Sequence, residues 1–388
     1  MLIERSQQAP MSDEYPLMAF IANEGVAPKG ERYDRSALVT DTVNKLYKKT
    51  EKGDFIYSSN NLETGSIGLN KYGKACISPV YSIFEPTGIA DSDFLGRRLV
   101  RKDFINAMVK WRQGVIYGQW RIHESDFLKI EISVPSVEEQ RKIGAYLDQL
   151  DNLITLHQRK FEKLTNVKKS MLEKMFPQNG SSYPEIRFKG FTDPWEQRKL
   201  SEIATMHARI GWQNLRTSEF LDSGDYMLIT GTDFIDGAVN FDTCHYVERE
   251  RYEQDKHIQI RNGSILITKD GTLGKVAYIQ GLTMPATLNA GVFNVEIKDE
   301  NEVDNRYLFQ YLKAPFLMDY VDKKATGGTI KHLNQNILVD FPVVLPHKAE
   351  QEKIGEYFLA IDHLITLHQR ELEKLKNLKK ACLEKMFV

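Results

Sequence analysis

The chain has 388 residues and nearly balanced charge, with 52 Lys and Arg residues against 53 Asp and Glu. Its 41% hydrophobic and 27% charged residues are typical of a globular protein with more than one domain. No apolar run is long enough for a signal peptide or a membrane span, so we expect a cytoplasmic protein. The scattered Cys76, Cys244 and Cys382 are expected to be free thiols. The balanced charge excludes a uniformly basic surface but not a local basic patch.

Residues 1–137, here named the first head, alternate short apolar runs with polar turns. Residues 52–68 predict a strand followed by a glycine-bearing turn that contains Asn60 and Asn61. Residues 80–84 predict a further strand. The pattern indicates a mixed α/β domain.

Residues 138–176 predict one long helix. Its apolar residues recur at alternating steps of four and three, a period of about 3.5 residues that is typical of a coiled-coil seam. Pro135 precedes this helix and Pro177 ends it. A lone helix of this kind would expose its seam, so we expect it to pack on a partner helix. Its predicted seam residues are Leu147, Leu150, Ile154, His157, Phe161 and Leu164.

A linker and lead-in, residues 177–196, introduce the second head, residues 197–349. Residues 262–274 (NGSILITKDGTLG) again predict a short apolar strand followed by a glycine turn. The lead-in motif that begins at Pro184 (PEIRFKGFTDPWEQRKLSEI) has no counterpart in front of the first head. From Asp93 and Asp304 onward the two halves keep a constant offset of 211 residues.

Residues 350–388 predict a second long helix that repeats the first. Between residues 135–176 and 346–387, 26 of 42 positions are identical without a gap. So long a period indicates two copies of one architectural unit. We therefore expect an α+β fold with two mixed α/β domains, separated by two long antiparallel coiled-coil helices and related by a pseudo-two-fold internal repeat. The predicted seam residues of the second helix are Phe358, Ile361, Ile365, His368, Leu372 and Leu375.

Two seam positions are polar in both helices: His157 with His368, and Lys168 with Lys379. One interpretation is that these side chains are tolerated interruptions that extend toward solvent. The other is a polar layer that fixes the register of the two helices. The sequence leaves both interpretations open.

The order of these motifs, repeated twice, resembles the specificity subunits of type I restriction–modification systems. The resemblance is carried by the W-E-x-x-K-L motif that begins at Trp195, by the Gly-Asp and Gly-Ser pairs at 53–54 and 263–264, and by the E-Q-x-K-I motif at 139–143 and 350–354. It covers essentially the whole chain. It implies that each head is a target-recognition domain that reads one half of a split DNA sequence.

The resemblance also implies partners. The helices would hold the heads a fixed distance apart and dock two modification (methyltransferase) subunits, and restriction subunits would join that complex. S-adenosylmethionine and ATP are then expected only in the partner subunits. The sequence contains no methyltransferase motif, phosphate-binding loop or clustered metal ligands, so we expect a non-catalytic protein without a cofactor or metal.

Polar and basic residues on the loops of the heads are the candidates for contacting double-stranded DNA, because planar hydrogen-bonding groups read base edges and cations bind phosphates. The candidates in the first head are Asn60, Asn61, Arg97, Arg98, Arg101, Arg112, Gln119 and Arg121. Those in the second head are Arg209, Gln213, Asn214, Lys269, Lys275, Lys324, Thr329 and Lys331.

Two other functions stay open at this stage. The chain could be a non-catalytic coiled-coil scaffold whose heads bind protein surfaces, in which case it would show no DNA sequence preference. A self-contained modifying enzyme is disfavoured by the missing motifs, and S-adenosylmethionine binding by the isolated chain would revive it.

Overall fold

The computed structural model describes residues 1–28, 45–114, 120–178, 180–324 and 333–387, apart from the Trp212 side chain. The chain divides into two compact units. The first unit comprises residues 1–157 and 371–388, and the second comprises residues 158–370. The units differ from the division expected from the sequence, because each long helix contributes one half to each unit instead of forming a domain by itself. In the described part of the chain, no helix has the length and apolarity needed to cross a bilayer.

The first head contains short strands and three helices that precede the first long helix. Its elements are β1 (Leu2–Glu4), β2 (Gln8–Ala9), β3 (Ala19–Ile21), β4 (Gly25–Ala27), β5 (Tyr47–Thr50), β6 (Phe55–Tyr57), β7 (Ile67–Leu69), β8 (Ala75–Ile77), β9 (Ser82–Pro86), α1 (Ser92–Leu99), α2 (Lys102–Val109), β10 (Gln113–Gly114), β11 (Trp120–Arg121) and α3 (Glu124–Phe127). The long helix α4 follows at Val137–Lys174.

The second head contains more strands and several short 3₁₀ turns. Its elements are β12 (Glu196–Lys199), α5 (Leu200–Ile203), β13 (Ala204–His207), β14 (Met227–Ile229), β15 (Phe234–Ile235), β16 (Ala238–Val239), β17 (His245–Tyr246), α6 (Arg249–Glu253), β18 (Gln259–Ile260), β19 (Ile265–Thr268), β20 (Val276–Tyr278), β21 (Ala286–Leu288), β22 (Val292–Ile297), α7 (Asn305–Lys313), α8 (Phe316–Lys324), α9 (Gln335–Leu338) and β23 (Pro342–Leu345). The second long helix, α10, spans Lys348–Lys385.

One antiparallel sheet has the same plan in both heads. Its strand order is β1-β9-β6-β7 in the first head and β13-β22-β19-β20 in the second. The sheets' inner strands begin after Gly53 and Gly263, whose φ angles of +95° and +94° favour glycine over any residue with a Cβ. The predicted strand and turn motifs therefore lie at equivalent places in the two heads.

The second sheet of each head differs. In the first head it has the order β2-β5-β8 and is antiparallel, whereas in the second it has the order β17-β14-β21-β18 and contains the parallel pair β14–β21. The second head also has the ribbon β12–β23, which pairs the lead-in with the strand before α10. The heads thus share one framework sheet and diverge around it.

The two long helices run antiparallel in each unit. In the first unit, Leu147 and Leu150 of α4 pack in one core cluster with Leu375 and Leu383 near the end of α10. In the second unit, Met175 near the end of α4 packs with Ile354 and Phe358 near the start of α10. The expected α+β fold with an internal repeat and two packed antiparallel helices is confirmed.

The shared LEKMF ending anchors each long helix in a core. Phe176, at the end of the first copy, is fully buried in the second unit, and its ring centroid lies 5.7 Å from that of Tyr307. Phe387, at the end of the second copy, is buried in the first unit, 4.9 Å from Phe94. Both aromatic partners lie in the first turn of a helix, α7 and α1 respectively. The sequence repeat therefore corresponds to a repeat of the same aromatic contact in the two units.

Candidate nucleic-acid interface and helix seam

The hairpin turn of the first head carries two exposed amides. Asn60 and Asn61 lie on the turn between β6 and β7, and both are exposed. The Asn60 Oδ1 accepts a hydrogen bond of 2.6 Å from the Trp120 amide. The Ser59 Oγ accepts one of 3.0 Å from the Ile122 amide. The turn is therefore joined to strand β11, a contact between segments about 60 residues apart that the sequence does not reveal.

Arg112 fixes the shape of this turn. Its guanidinium donates to the Ser59 carbonyl at 3.1 Å and forms a bidentate pair with Glu63 at 2.7 and 2.6 Å. This hydrogen bonding lowers the pKa of the Glu63 carboxyl. Arg121 and Trp120 are both largely exposed beside the turn. The groups presented to solvent are thus Asn60, Asn61, Trp120 and Arg121, and Arg112 supports them.

The remaining arginines predicted in the first head are engaged within the protein. Arg97 pairs with Asp148 and Asp151 of α4, the latter at 2.9 Å. Arg98 pairs with Asp103 at 2.9 Å, and the Arg101 guanidinium donates to the Leu383 carbonyl near the end of α10.

These contacts attach α1 and the start of α2 to each other and to the long helices. They give Arg97, Arg98 and Arg101 a structural role, and the contact of these arginines with DNA stays a prediction. Gln119 lies outside the described residues.

Two of the candidates in the second head are buried. Arg209 is only 2% exposed, and its guanidinium donates to the Leu288 carbonyl at 3.0 Å, to Gln254 Oε1 at 3.2 Å and to Thr287 Oγ1 at 3.3 Å. Burial, followed by the nearby Arg251 charge, lowers the pKa of Arg209. Gln213 is 5% exposed. Both are corrections, because their side chains point inward.

Asn214 and the lysines of the glycine turn remain at the surface. Asn214, Lys275 and Lys324 are exposed, and Lys269 is half-buried over the Phe293 ring. The Leu333 amide donates to the Lys269 carbonyl at 2.8 Å, so the chain that follows α8 returns to this turn. Thr329 and Lys331 lie outside the described residues.

The described candidates therefore share one plan in both heads. A hairpin turn of the framework sheet, β6–β7 or β19–β20, lies beside the chain that follows the second helix of a helix pair, α1–α2 or α7–α8. The exposed groups differ: amides and an arginine in the first head, and lysines in the second. The same support therefore presents different chemistry in the two heads.

The predicted seam residues line the contact between the long helices. All of them are buried or half-buried, while intervening residues such as Leu153 and Leu156 are exposed. His157 and His368 are half-buried. The Lys168 Nζ lies 2.6 and 2.8 Å from the two carboxylate oxygens of Asp362. In the first unit, the Lys379 ammonium pairs in the same way with Asp151.

A buried glutamine attaches each head to the start of a long helix. The Gln351 side chain donates to the Pro346 carbonyl at 2.9 Å and accepts from the Asp304 amide at 2.9 Å. Gln140 repeats both contacts with Pro135 and Asp91, at 2.8 and 2.9 Å. The equivalent of Asp304 is therefore Asp91 and not Asp93, so the offset of 211 relates α9 to α3 and the long helices to each other but does not extend back to the start of α7 and α1.

The neighbouring glutamate of this motif is used differently in the two copies. Glu350 is fully buried and forms a bidentate pair with Arg187 of the lead-in, both bonds being 2.8 Å long. Its counterpart Glu139 is exposed, and among the described residues it makes no ion pair. The lead-in thus covers the start of α10 at Glu350, whereas the equivalent part of α4 at Glu139 is exposed.

The described residues contain one cluster of side chains with metal-ligand chemistry. His207 of β13, His257 of a 3₁₀ turn and Glu296 of β22 place one ligand atom each within 4.8 Å of one another. The sequence does not predict this group, because the three residues are far apart in the chain. The cysteines do not join it: Cys76 and Cys244 are buried free thiols, and Cys382 is a half-buried one.

Comparisons with known proteins agree with this architecture. The family model for the type I restriction modification DNA specificity domain matches residues 26–166 and 192–377. The chain is 23% identical over 364 residues to the type I restriction enzyme MjaVIII specificity subunit of Methanocaldococcus jannaschii, a match that covers 90% of this chain and 83% of that protein. It is 20% identical over 268 residues to the MjaIX specificity subunit of the same organism, covering 68% of this chain and 61% of that one.

A solved structure shares the fold. The crystal structure of the type I restriction–modification system S subunit from M. genitalium matches with a TM-score of 0.59 and 15% identity, covering 100% of this chain and 96% of that one. Each matched segment lies within one of the two copies of head and helix seen here. The chain therefore belongs to the family of type I restriction–modification specificity subunits.

Proposed function

We propose that this chain reads a bipartite, asymmetric DNA site, with one half-site for each head, and performs no chemistry itself. The observation that carries the proposal is the repeat of one framework, in which equivalent turns expose different hydrogen-bonding groups. Two fixed supports with different contact residues suit a target with two different halves. S-adenosylmethionine and ATP would bind only to partner subunits, and the complex would act in the cytoplasm.

The exposed side chains have the chemistry that such reading requires. Asparagine amides can form bidentate hydrogen bonds with adenine, and arginine can do so with guanine. Asn61 and Arg121 are therefore our candidates for bidentate base contacts in the first head, and Asn214 is the candidate in the second. Asn60, whose Oδ1 accepts from the Trp120 amide, is a candidate for a contact through its Nδ2. Lys275 and Lys324 are better suited to phosphates, because an ammonium is a point charge without planar specificity.

The long helices offer equivalent surfaces for two partner subunits. In the repeated LITLHQR motif, Leu153 and Leu156 are 43% and 46% exposed, and their counterparts Leu364 and Leu367 are 41% and 45% exposed. Exposed leucines at the same positions of both copies mark a candidate protein contact. Two identical modification subunits would fit two identical surfaces.

The test is methylome sequencing of cells that express the chain with its cognate modification subunit. The wild type should give one split sequence with a fixed gap. A variant with Asn60→Ala and Asn61→Ala should change or relax one half only, because the second head is untouched. The matched control is Glu139→Ala, which changes an exposed residue away from the turn and should leave both halves unchanged.

The alternative is a coiled-coil scaffold whose heads bind proteins. The assembled complex should bind duplex DNA that carries the split site, with affinity that falls steeply as salt rises. A complex that forms normally but binds all duplexes equally would contradict the proposal and favour the scaffold.

A further inference from the structure

The second head contains a cluster of metal-binding side chains that DNA recognition does not explain. We propose that His207, His257 and Glu296 form a binding site for a divalent transition-metal ion of the zinc type. Imidazole nitrogens and a carboxylate oxygen are common zinc ligands, and three protein ligands leave one position for water. The proposal concerns this head alone and is independent of the proposed DNA site.

Two of the ligands are placed by strand pairing. In the antiparallel pair β13–β22, His207 is opposite Asn294 and Thr205 is opposite Glu296. Side chains two residues apart on a strand share a face, so His207 and Glu296 are diagonal neighbours on one face of the sheet. The His207 Nε2 lies 3.8 Å from the Glu296 Oε2.

The third ligand is held over the same face by hydrogen bonds of the backbone. The Asn294 Nδ2 donates to the His257 carbonyl at 3.0 Å, and Asp255 accepts from the His257 amide at 2.9 Å. The rings of His257 and His207 are stacked, with centroids 4.5 Å apart and planes 20° apart. Because an imidazole binds a metal in the plane of its ring, one exposed ring must rotate about its side-chain torsions for both to bind the same ion. Among the described residues, no hydrogen bond engages a ring nitrogen of His257. Its nitrogens are therefore available to an ion.

Access to the site is open. The two imidazoles line a surface cavity of about 490 Å³ together with Asp255 and Lys298. The Lys298 ammonium, which would repel a cation, donates to the Ser201 carbonyl at 2.6 Å. Lys298 is therefore engaged elsewhere, and solvent can deliver an ion to the two rings.

The first head shows what this position looks like without histidine. By strand register, Arg5 corresponds to His207 and Glu85 to Glu296. Arg5 forms ion pairs with Glu85 at 2.5 Å and with the buried Asp54 at 2.9 Å. Because arginine stays protonated and cannot ligate a metal, the first head satisfies the same glutamate without an ion. The substitution His207→Arg would copy the arginine–glutamate pair into the second head, where Ser264 stands in place of Asp54, so it should keep the fold and remove the metal.

The experiment is equilibrium dialysis of the untagged full chain against Zn²⁺, followed by measurement of bound metal. We expect about one zinc ion per chain with a Kd tighter than about 10 µM, and a loss of affinity of at least tenfold in His207→Arg and in His257→Ala. The control, His363→Ala, removes an exposed histidine of α10 and should bind zinc like the wild type. Zinc should raise the melting temperature of the wild type but not that of His207→Arg.

Circular dichroism in zinc-free buffer should show that His207→Arg is folded like the wild type. Binding weaker than about 10 µM in the wild type, or binding that His207→Arg leaves unchanged, would overturn the proposal.

Discussion

Lys168 of α4 and Asp362 of α10 form a nearly buried ion pair whose symmetry mate is Lys379 with Asp151. The Lys168 Nζ lies 2.6 and 2.8 Å from the Asp362 oxygens, and Gln310 and Lys313 also contact that carboxylate, at 2.9 and 3.6 Å. The offset of 211 residues relates Asp151 to Asp362 and Lys168 to Lys379. Each helix therefore supplies one lysine and one aspartate, and both pairs form only in one antiparallel register. For Lys168 and Lys379, these contacts favour the interpretation of the polar seam positions as a register-fixing layer.

The two partners of this pair should respond unequally to substitution. Asp362→Asn would leave the Lys168 ammonium buried with only the like charge of Lys313 nearby, and we expect a loss of about 3 kcal/mol in the free energy of unfolding. Lys168→Met keeps a side chain of similar length, while Asp362 retains Gln310 and Lys313. We expect a change below about 1 kcal/mol for this variant. Urea unfolding of both variants would measure the difference, and equal losses would contradict it.

The titration of Lys168 should contribute to the pH dependence of the free energy of unfolding. Burial, followed by the charge of Lys313, lowers the pKa of Lys168 from its ordinary 10.5 to about 8, although Asp362 acts in the opposite direction. Between these values the unfolded chain binds more protons than the folded one, so this lysine's contribution to stability increases as pH rises through the window. Below pH 8 the ammonium is charged in both states and its burial costs free energy.

The difference between wild type and Lys168→Met isolates this effect from the other titrating groups. We expect the unfolding free energy of the wild type, relative to that of the variant, to increase by up to about 3 kcal/mol between pH 8 and pH 10.5. Urea unfolding at several pH values would measure it. A difference that stays constant over this range would show that Lys168 titrates normally.

The buried glutamate of the second copy offers a comparison within the chain. Glu350→Ala would leave the Arg187 guanidinium without its bidentate partner, and we expect a loss of about 3 kcal/mol of unfolding free energy. The equivalent Glu139→Ala changes an exposed residue and should cost less than about 0.5 kcal/mol. Thermal unfolding of both variants would measure this contrast. If the two variants had similar stability, the anchoring role of Arg187 and Glu350 would be refuted.

The sequence predicted features that depend on local pattern. The long helices, their seam and the strands after Gly53 and Gly263 follow from apolar spacing and from glycine. It could not show which basic residues point inward. Arg97 and Arg209 look like surface cations in the sequence, but their partners come from distant segments, α4 in one case and residues 251–288 in the other. The sequence also could not show that the Gln140 side chain is buried, because its partner Asp91 is 49 residues away.

Arg209 and Asn214 therefore separate stability from recognition in the second head. Arg209→Ala removes a guanidinium whose hydrogen bonds satisfy the Leu288 carbonyl and Thr287 in the interior, and we expect a loss of about 2–4 kcal/mol in unfolding free energy. Asn214→Ala changes an exposed amide and should cost less than about 0.5 kcal/mol while relaxing the half-site read by this head. Urea unfolding measures the first effect, and methylome sequencing measures the second. An Arg209→Ala variant that is fully stable but directs methylation to a different DNA sequence would show that this arginine contacts DNA. A residue that only supports the interior cannot change the recognised sequence without a loss of stability.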